Sequence, residues 1–449
     1  MKKPLMISVS GIRGIVGEAL TSQVALKYAE KFGIYSNCGK IIIGRDSRTT
    51  GQMLFNAISA GLMSVGCDVV NLGICSTPTV LLAVEQSDAS GGIAITASHN
   101  PPEWNAMKFI SHKGIFLLPK EANEFLSITN DEIIYKNWQQ IGKLSDDNMA
   151  IERHIKKILE IPFIDIQKIR NRKFKVVIDS TNGAGGTISP KLLNQLGCQV
   201  IEMNSETTGI FSREPEPIAE NLSQLEKKVK QTYADIGFAT DPDVDRLSIV
   251  SDKGIALGTE FSLLLVENFV LSKKLGSIAT NISSSMSSEV IAKKYGVKIF
   301  RTPVGEANVV QAILQHNCVI GGEGNGGIIL PEVHCTRDAP VGMALILAYL
   351  ADTDNTISQL AQEIPHYYMK KEKIKVGPDK LNQVMETAKN VFKNKKLDFT
   401  DGMKVIDKDY WIHIRKSGTE PIIRVIVEAK TKQKANEICK DAINKITNI

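Results

Sequence analysis

Lys40-Ile-Ile-Ile-Gly44 opens a unit that this chain uses three times. An apolar strand leads through a polar turn into a helical stretch to Val65, and Gly66-Cys-Asp-Val-Val70 follows as a second strand. Lys175-Val-Val-Ile-Asp179, a Gly-rich turn, a helix and Gly197-Cys-Gln-Val-Ile201 repeat the pattern. Gly276-Ser-Ile-Ala-Thr280, a helix over Ser288 to Tyr295 and Gly296-Val-Lys-Ile-Phe300 repeat it again. Strand, helix, glycine, strand is the order of a βαβ crossover. The recurrence predicts three similar mixed-sheet α/β domains, although α/β units also resemble one another by chance.

Each unit continues into a further apolar strand that ends in a polar loop, and those loops carry Ser98, Asp241 and Glu323. Ligands of open α/β sheets bind beyond the carboxyl ends of the strands. Three such domains around a central cleft would bring the loops together. After Ile364-Pro-His366 the pattern changes. A helical stretch from Lys380 to Phe392, short strands near Val405 and over Trp411 to Ile414, a strand over Ile422 to Glu428 and a helix from Lys432 to Ile446 predict a smaller C-terminal α+β domain. We place the domains at residues 1–150, 151–253, 254–365 and 366–449. The polar stretch Lys143 to Ile155 is expected to form a connecting helix.

Composition narrows the class. A chain of 449 residues is too long for one core. Its 43% hydrophobic and 23% charged content is that of a soluble globular protein. The net charge of +5 is mild, and no basic run is interleaved with aromatics, so nucleic acid is not an expected partner. From His366 onward 19 Lys and Arg stand against 11 Asp and Glu, a surplus of +8 that suits an anionic ligand or is simply a solvated face. The seven cysteines are an odd number with no C-x-x-C pair, which argues for a reducing, cytoplasmic setting and against a zinc site. Cys67 and Cys198 are expected inside apolar strands. The N-terminus is not a convincing signal peptide, and Met343-Ala-Leu-Ile-Leu-Ala-Tyr-Leu-Ala351 is too short to span a bilayer.

In Gly91-Gly-Ile-Ala-Ile-Thr-Ala-Ser98-His99-Asn100-Pro101 a strand runs into a small-residue turn stopped by proline. A serine there presents its hydroxyl beyond the strand end, with His99 and Lys108 close behind. It reads as a nucleophile or phosphate carrier, or as an ordinary turn serine. Asp241-Pro-Asp243-Val-Asp245-Arg246 also follows an apolar strand. Three carboxylates at alternate positions offer the hard oxygen ligands that suit Mg²⁺. An EF-hand is excluded, because its sixth and twelfth positions hold Arg246 and Asp252 rather than glycine and glutamate. An aspartyl phosphatase with Asp241 as nucleophile remains an alternative, as does a solvated acidic turn.

Together with Gly322-Glu323-Gly-Asn325-Gly326 and Arg415-Lys-Ser417-Gly418-Thr419-Glu-Pro-Ile-Ile-Arg424, these motifs resemble the α-D-phosphohexomutase family in content and order. The resemblance covers essentially the whole chain, including Gly11-Ile-Arg13-Gly14 and Gly44-Arg45-Asp-Ser-Arg48. It implies a four-domain, heart-shaped enzyme with a phosphoserine at Ser98 and a sugar 1,6-bisphosphate as intermediate and activator. It implies Mg²⁺ held by Asp241, Asp243, Asp245 and the Ser98 phosphoryl group. His99 and Lys108 would act as acid and base, and Arg13 and Arg246 would steady phosphoryl oxygens. Glu323, Asn325 and Gly326 would meet the sugar, and Arg415, Ser417, Gly418, Thr419 and Arg424 would grip its non-reacting phosphate. The Arg415 loop looks most like phosphoglucosamine mutases, whereas Glu-Gly-Asn-Gly looks like archaeal-type members that include phosphomannomutases and phosphoglucomutases. Glucosamine phosphate is the expected substrate, with mannose or glucose phosphate next. Two readings come from other classes: the aspartyl phosphatase acting through Asp241 and a catalytically silent sugar-phosphate binder. A monomer and a homodimer fit equally.

Overall fold

The computed structural model describes residues 4–377, 380–416 and 422–447. The glycine of each repeat unit ends a helix. Gly66, Gly197 and Gly296 lie at φ +98°, +78° and +67°, a left-handed conformation that costs glycine little. The N–H of the next residue then reaches back to the last turn: Cys67 to Leu62 O, Cys198 to Leu193 O and Val297 to Ala292 O, each at 3.0 Å. This is a Schellman-type stop, which satisfies helix-end carbonyls. It also corrects the expected placing of Cys67 and Cys198. Both are buried, but their N–H groups are spent on the helix stop, and the strands begin later, at Val69 and Gln199.

Among the described residues the strands form four sheets. The second runs Leu247–Ser251, Ile236–Thr240, Lys175–Asp179, Gln199–Met203, and the third runs Gly327–Ile329, Ile320–Glu323, Ile278–Asn281, Ile299–Thr302. In each, three strands are parallel and the first-named edge is antiparallel. The first sheet contains the same quartet: Trp104–Ser111, Gly91–Ile95, Ile41–Arg45, Val69–Ile74. It is widened to seven strands by Met6–Ser8 and Gly11–Ile15 on one side and Leu144–Asp146 on the other. The predicted connecting helix is therefore only half right. Leu144–Asp146 pairs in parallel with Val69–Asn71, completing an otherwise open edge, and the helix covers Ala150–Leu159. The fourth sheet is five-stranded and antiparallel, from Tyr368–Lys375 to Ile422–Ala429, Tyr410–Lys416, Met403–Ile406 and Lys396–Asp398. The helices Leu381–Phe392 and Lys432–Thr447 share a separate apolar core with it.

The second and third sheets share one continuous core. At its centre lies helix Ala339–Thr353, with thirteen of fifteen residues buried. A helix apolar on every face belongs inside a protein, which accounts for the run at Met343–Ala351. No helix among the described residues is long and apolar enough to cross a membrane.

A polar pin ties that helix to the first domain. Asp338 caps it, accepting from Val341 N at 3.1 Å through Oδ1. Its Oδ2 meets His154 Nε2 and His334 Nε2, both at 2.7 Å. His154 Nδ1 is 2.9 Å from Thr79 Oγ1 on helix Thr77–Glu85. All three pin residues are buried. Burial alone would raise the Asp338 carboxyl, but His154 and His334 hold it below the ordinary carboxylate range. A depressed folded pKa contributes stability that is complete above the unfolded value, about 3.9, and is lost as pH falls through and below it. His154→Ala should therefore lower the unfolding free energy at pH 7 by about 3–5 kcal/mol, the cost of breaking a buried pair. Urea unfolding of this variant should also show a weaker loss of stability between pH 5 and 3 than the parent shows.

Candidate active site

Ser98 stands just past the end of strand Gly91–Ile95, 5% exposed and at φ +49°. A non-glycine residue in that region is strained by roughly 1–3 kcal/mol and persists only when its surroundings fix it. Arg48, 1% exposed, does the fixing. Its Nη2 donates to Ser98 O and Asn100 O at 2.7 Å, and its Nη1 to Pro101 O at 2.7 Å and Trp104 O at 2.9 Å. Asp46 holds the guanidinium in turn, accepting from Nε at 3.1 Å. Ser98 Oγ is thereby aimed across the domain boundary and donates to Asp241 Oδ2 at 2.8 Å. His99 Nδ1 lies 3.3 Å from the same Oγ. Burial, then the nearby Arg246 and Arg13, push the His99 imidazole well below its usual pKa, so it is neutral at pH 7.

The equivalent loop of the second sheet carries the three aspartates. It turns at Val244, φ +65°, which is wholly buried and bonded to Asp241 O and Ala339 N, both at 3.2 Å. Asp241, Asp243 and Asp245 place one carboxylate oxygen each within 4.8 Å of one another. Lys108 Nζ donates to Asp243 Oδ2 at 2.8 Å and lies 4.0 Å from Asp245 Oδ2. Thr77 Oγ1 donates to the same Asp243 oxygen at 2.9 Å. Burial alone would raise Asp243, but Lys108 holds it below the ordinary range. Asp241 goes the other way: burial, then Asp245 and Asp243, push it well above. Asp243 Oδ1 and Asp245 Oδ1 are buried and accept from no described residue. Clustered carboxylates with spare oxygen lone pairs and too few cations are a donor set that fits a hard divalent ion such as Mg²⁺.

In the third sheet the loop follows Glu323 and turns at Gly326, φ +92°, where a side chain would strike Leu247 O at 2.5 Å. Glu323 Oε1 accepts from Asn281 Nδ2 at 2.7 Å and Gly305 N at 3.0 Å. Its Oε2 accepts from Arg337 Nη1 at 2.8 Å and Asn325 Nδ2 at 3.3 Å. Burial would raise this carboxyl, and Arg337, with those amide partners, holds it below the ordinary range. Sequence reasoning passed over Arg337. It bridges Glu323 and Asp245 Oδ2, the latter at 2.5 Å, and so joins the sugar loop to the aspartate loop. Its only local signal is its place one residue before the Asp338-Ala-Pro helix start.

One cleft of about 710 Å³ gathers Arg13, Ser98, His99, Lys108, Arg246, Glu323, Asn325, Arg415 and Arg424, with Lys371 and Lys373 added from the last domain. Arg13 Nη1 donates to Asn100 Oδ1 at 2.9 Å, Arg246 Nη1 to Glu216 Oε1 at 3.0 Å, and Arg415 Nη1 to Asp401 Oδ2 at 2.7 Å. Ser417, Gly418 and Thr419 lie outside the described residues. The aspartates are reached through two of these lining residues, Ser98 bonding Asp241 and Lys108 bonding Asp243.

Known proteins are similar to this chain along its whole length. The chain matches all four domain profiles of phosphoglucomutase/phosphomannomutase: alpha/beta/alpha domain I over residues 5–135, II over 152–254, III over 258–368 and the C-terminal domain over 370–445. It is 37% identical over 434 residues to a probable phosphoglucosamine mutase of Methanopyrus kandleri, covering 96% of this chain and 95% of that one. It is 38% identical over 439 residues to a phosphoglucomutase/phosphomannomutase of Thermococcus kodakarensis, covering 95% of each. Among solved structures, a phosphoglucomutase/phosphomannomutase family protein of Burkholderia thailandensis superposes with a TM-score of 0.86 over 98% of this chain and 97% of that one, at 24% identity.

The Ser98 loop depends on one planar fork. Lysine cannot make the five bonds of Arg48. Arg48→Lys should lose about 3–5 kcal/mol of stability, because Asp46 and several carbonyls lose buried partners. Chemical denaturation measures that loss, and steady-state kinetics should show the accompanying fall in kcat rather than in substrate affinity.

Proposed function

The chain belongs to the phosphoglucomutase/phosphomannomutase family of intramolecular phosphotransferases, and on that premise we propose that it interconverts glucosamine 6-phosphate and glucosamine 1-phosphate. The observation that supports this chemistry best is the 2.8 Å contact of Ser98 Oγ with Asp241, which puts a serine nucleophile on a carboxylate triad. In this reading Ser98 carries a phosphoryl group. A sugar hydroxyl attacks the phosphorus, the P–Oγ bond breaks, and a sugar 1,6-bisphosphate forms. The bisphosphate turns over in the cleft, and its other phosphate returns to Ser98. Phosphate thus moves between O6 and O1 with no net change in Ser98.

Each residue has a defined task. Neutral His99 accepts the proton of the attacking hydroxyl and passes it to Ser98 Oγ as the P–Oγ bond breaks; when Ser98 attacks the other phosphate, His99 takes that proton back and delivers it to the leaving sugar oxygen. Lys108, set between Asp243 and the cleft, offsets charge on the phosphoryl oxygens. Arg13 and Arg246, with one short bond each to an anchoring side chain, orient those oxygens. Asp241, Asp243 and Asp245, with the Ser98 phosphoryl group, would hold Mg²⁺, which when bound neutralises charge on the group in flight. Arg415 and Arg424, with Ser417, Gly418 and Thr419, take the non-reacting phosphate, and Glu323, Asn325 and Gly326 position the ring. Domains 1–150, 151–253, 254–365 and 366–449 thus supply phosphoserine, metal, sugar and phosphate sites respectively. The last domain meets its neighbour through polar contacts: Glu428 with Met286 N and His413 with Ser283, both at 2.8 Å. Polar interfaces of this kind permit hinge motion of a domain that must grip the non-reacting phosphate and let it go as the bisphosphate turns.

Relatives named for glucosamine phosphate favour that substrate, and the Thermococcus kodakarensis relative keeps mannose and glucose phosphates as the competing reading. The kcat/KM for glucosamine 6-phosphate should exceed those for glucose and mannose 6-phosphates, and a reversed order reassigns the substrate. Ser98→Ala should cost more than about 10³-fold in kcat, as expected for removal of a covalent nucleophile. Chelation should stop turnover, and Mg²⁺ should restore it.

A further inference from the structure

Five glutamates line the cleft: Glu216, Glu260, Glu306, Glu323 and Glu372. Four have a cation at hand. Glu216 pairs with Arg246 at 3.0 Å, Glu306 and Glu323 with Arg337 at 3.1 and 2.8 Å, and Glu372 with Lys370 at 2.8 Å. Glu260 has none within ion-pair distance among the described residues. Its Oε2 accepts from Ser285 N at 3.0 Å, and its Oε1 accepts from no described residue. Lys371, across the cleft on the last domain, acts on it only from longer range.

Its position is built. Glu260 sits in the first turn of helix Thr259–Lys273, where the helix dipole favours a carboxylate. Thr259 Oγ1 donates to Gly324 O at 2.7 Å, which fastens that turn to the sugar loop. The Glu260 carboxylate lies so close over Gly324 that a methyl group there would stand 2.0 Å from Oε1. The adjacent Glu323 already accepts four hydrogen bonds, so Glu260 is the carboxylate on this wall with acceptor capacity to spare.

We infer that Glu260 selects an amino sugar, its free oxygen accepting a charge-assisted hydrogen bond from the substrate's ammonium group. This rests on the amino-sugar reading above and gives it a residue. The electrostatics agree. Burial, only partly offset by Lys371, raises the Glu260 carboxyl to about 7, so this carboxylate lacks a positive partner that a bound ammonium would supply. A neutral hydroxyl at the same place satisfies the oxygen but not the charge.

Glu260→Gln keeps shape and hydrogen-bonding capacity and removes only the charge. The ratio of kcat/KM for glucosamine 6-phosphate over glucose 6-phosphate should fall about 10- to 100-fold, the range for a hydrogen bond to a charged group. Gly324→Ala, which displaces the carboxylate while leaving Glu260 itself in the sequence, should lower the same ratio, and thermal melts of both variants show that they are folded. If the parent prefers glucosamine 6-phosphate and Glu260→Gln keeps that preference within twofold, the role of Glu260 is overturned while the substrate assignment stands. If the parent prefers glucose 6-phosphate, both fall.

Discussion

Three aspartates buried within 4.8 Å of one another set the terms for the rest of the molecule. Like charges so close in a low-dielectric interior repel by several kcal/mol unless cations intervene. Second-sheet residues do not supply enough of them. Lys108 comes from the first domain and Arg337 from the third, and each spends its charge on an aspartate oxygen. The aspartate loop is therefore tied to its neighbours by ion pairs that cross domain boundaries, and no single domain has a balanced site. Asp243 Oδ1 and Asp245 Oδ1 accept no hydrogen bond among the described residues, and their lone pairs are what a divalent ion would use.

The three loops at this junction are topologically the same loop. Each joins an inner parallel strand to the antiparallel strand beside it, and each turns through one left-handed residue: Ser98, Val244 or Gly326. Glycine does this at little cost. Serine and valine do not, and valine is the worst suited of the three. The two strained positions are those that set Ser98 Oγ and the aspartates in place. The bonds of Arg48 and the burial of Val244 hold them there, as expected where surrounding structure over-determines an unfavourable backbone.

Much of this was legible in the sequence, and the boundary has a physical cause. Apolar strands and helix-stopping glycines are local signals, so the threefold unit and the ends of its strands could be read directly. Ser98 and the Asp241 loop stood out because small or acidic residues after an apolar strand have few other uses. Arg337 and Glu260 were not legible, since the first matters through Asp245 and Glu323, and the second through its lack of a cation. Arg48 lay inside a noted motif, yet its task depends on carbonyls fifty residues away. The half-missed segment at Lys143 to Ile155 failed similarly, because only the open edge of Val69–Ile74 makes Leu144–Asp146 a strand.

In the proposed cycle Ser98, and not an aspartate, carries the travelling phosphoryl group over the acidic loop. Peptide mapping by mass spectrometry of active enzyme, after incubation with a sugar 1,6-bisphosphate and Mg²⁺, tests it most directly. One acid-stable phosphate is expected on the peptide containing Ser98, and when it is introduced from isotope-labelled bisphosphate its label passes to sugar phosphate once unlabelled sugar monophosphate is added. An acid-labile phosphate on Asp241, with Ser98 unmodified throughout turnover, would contradict it and make the chain an aspartyl phosphotransferase.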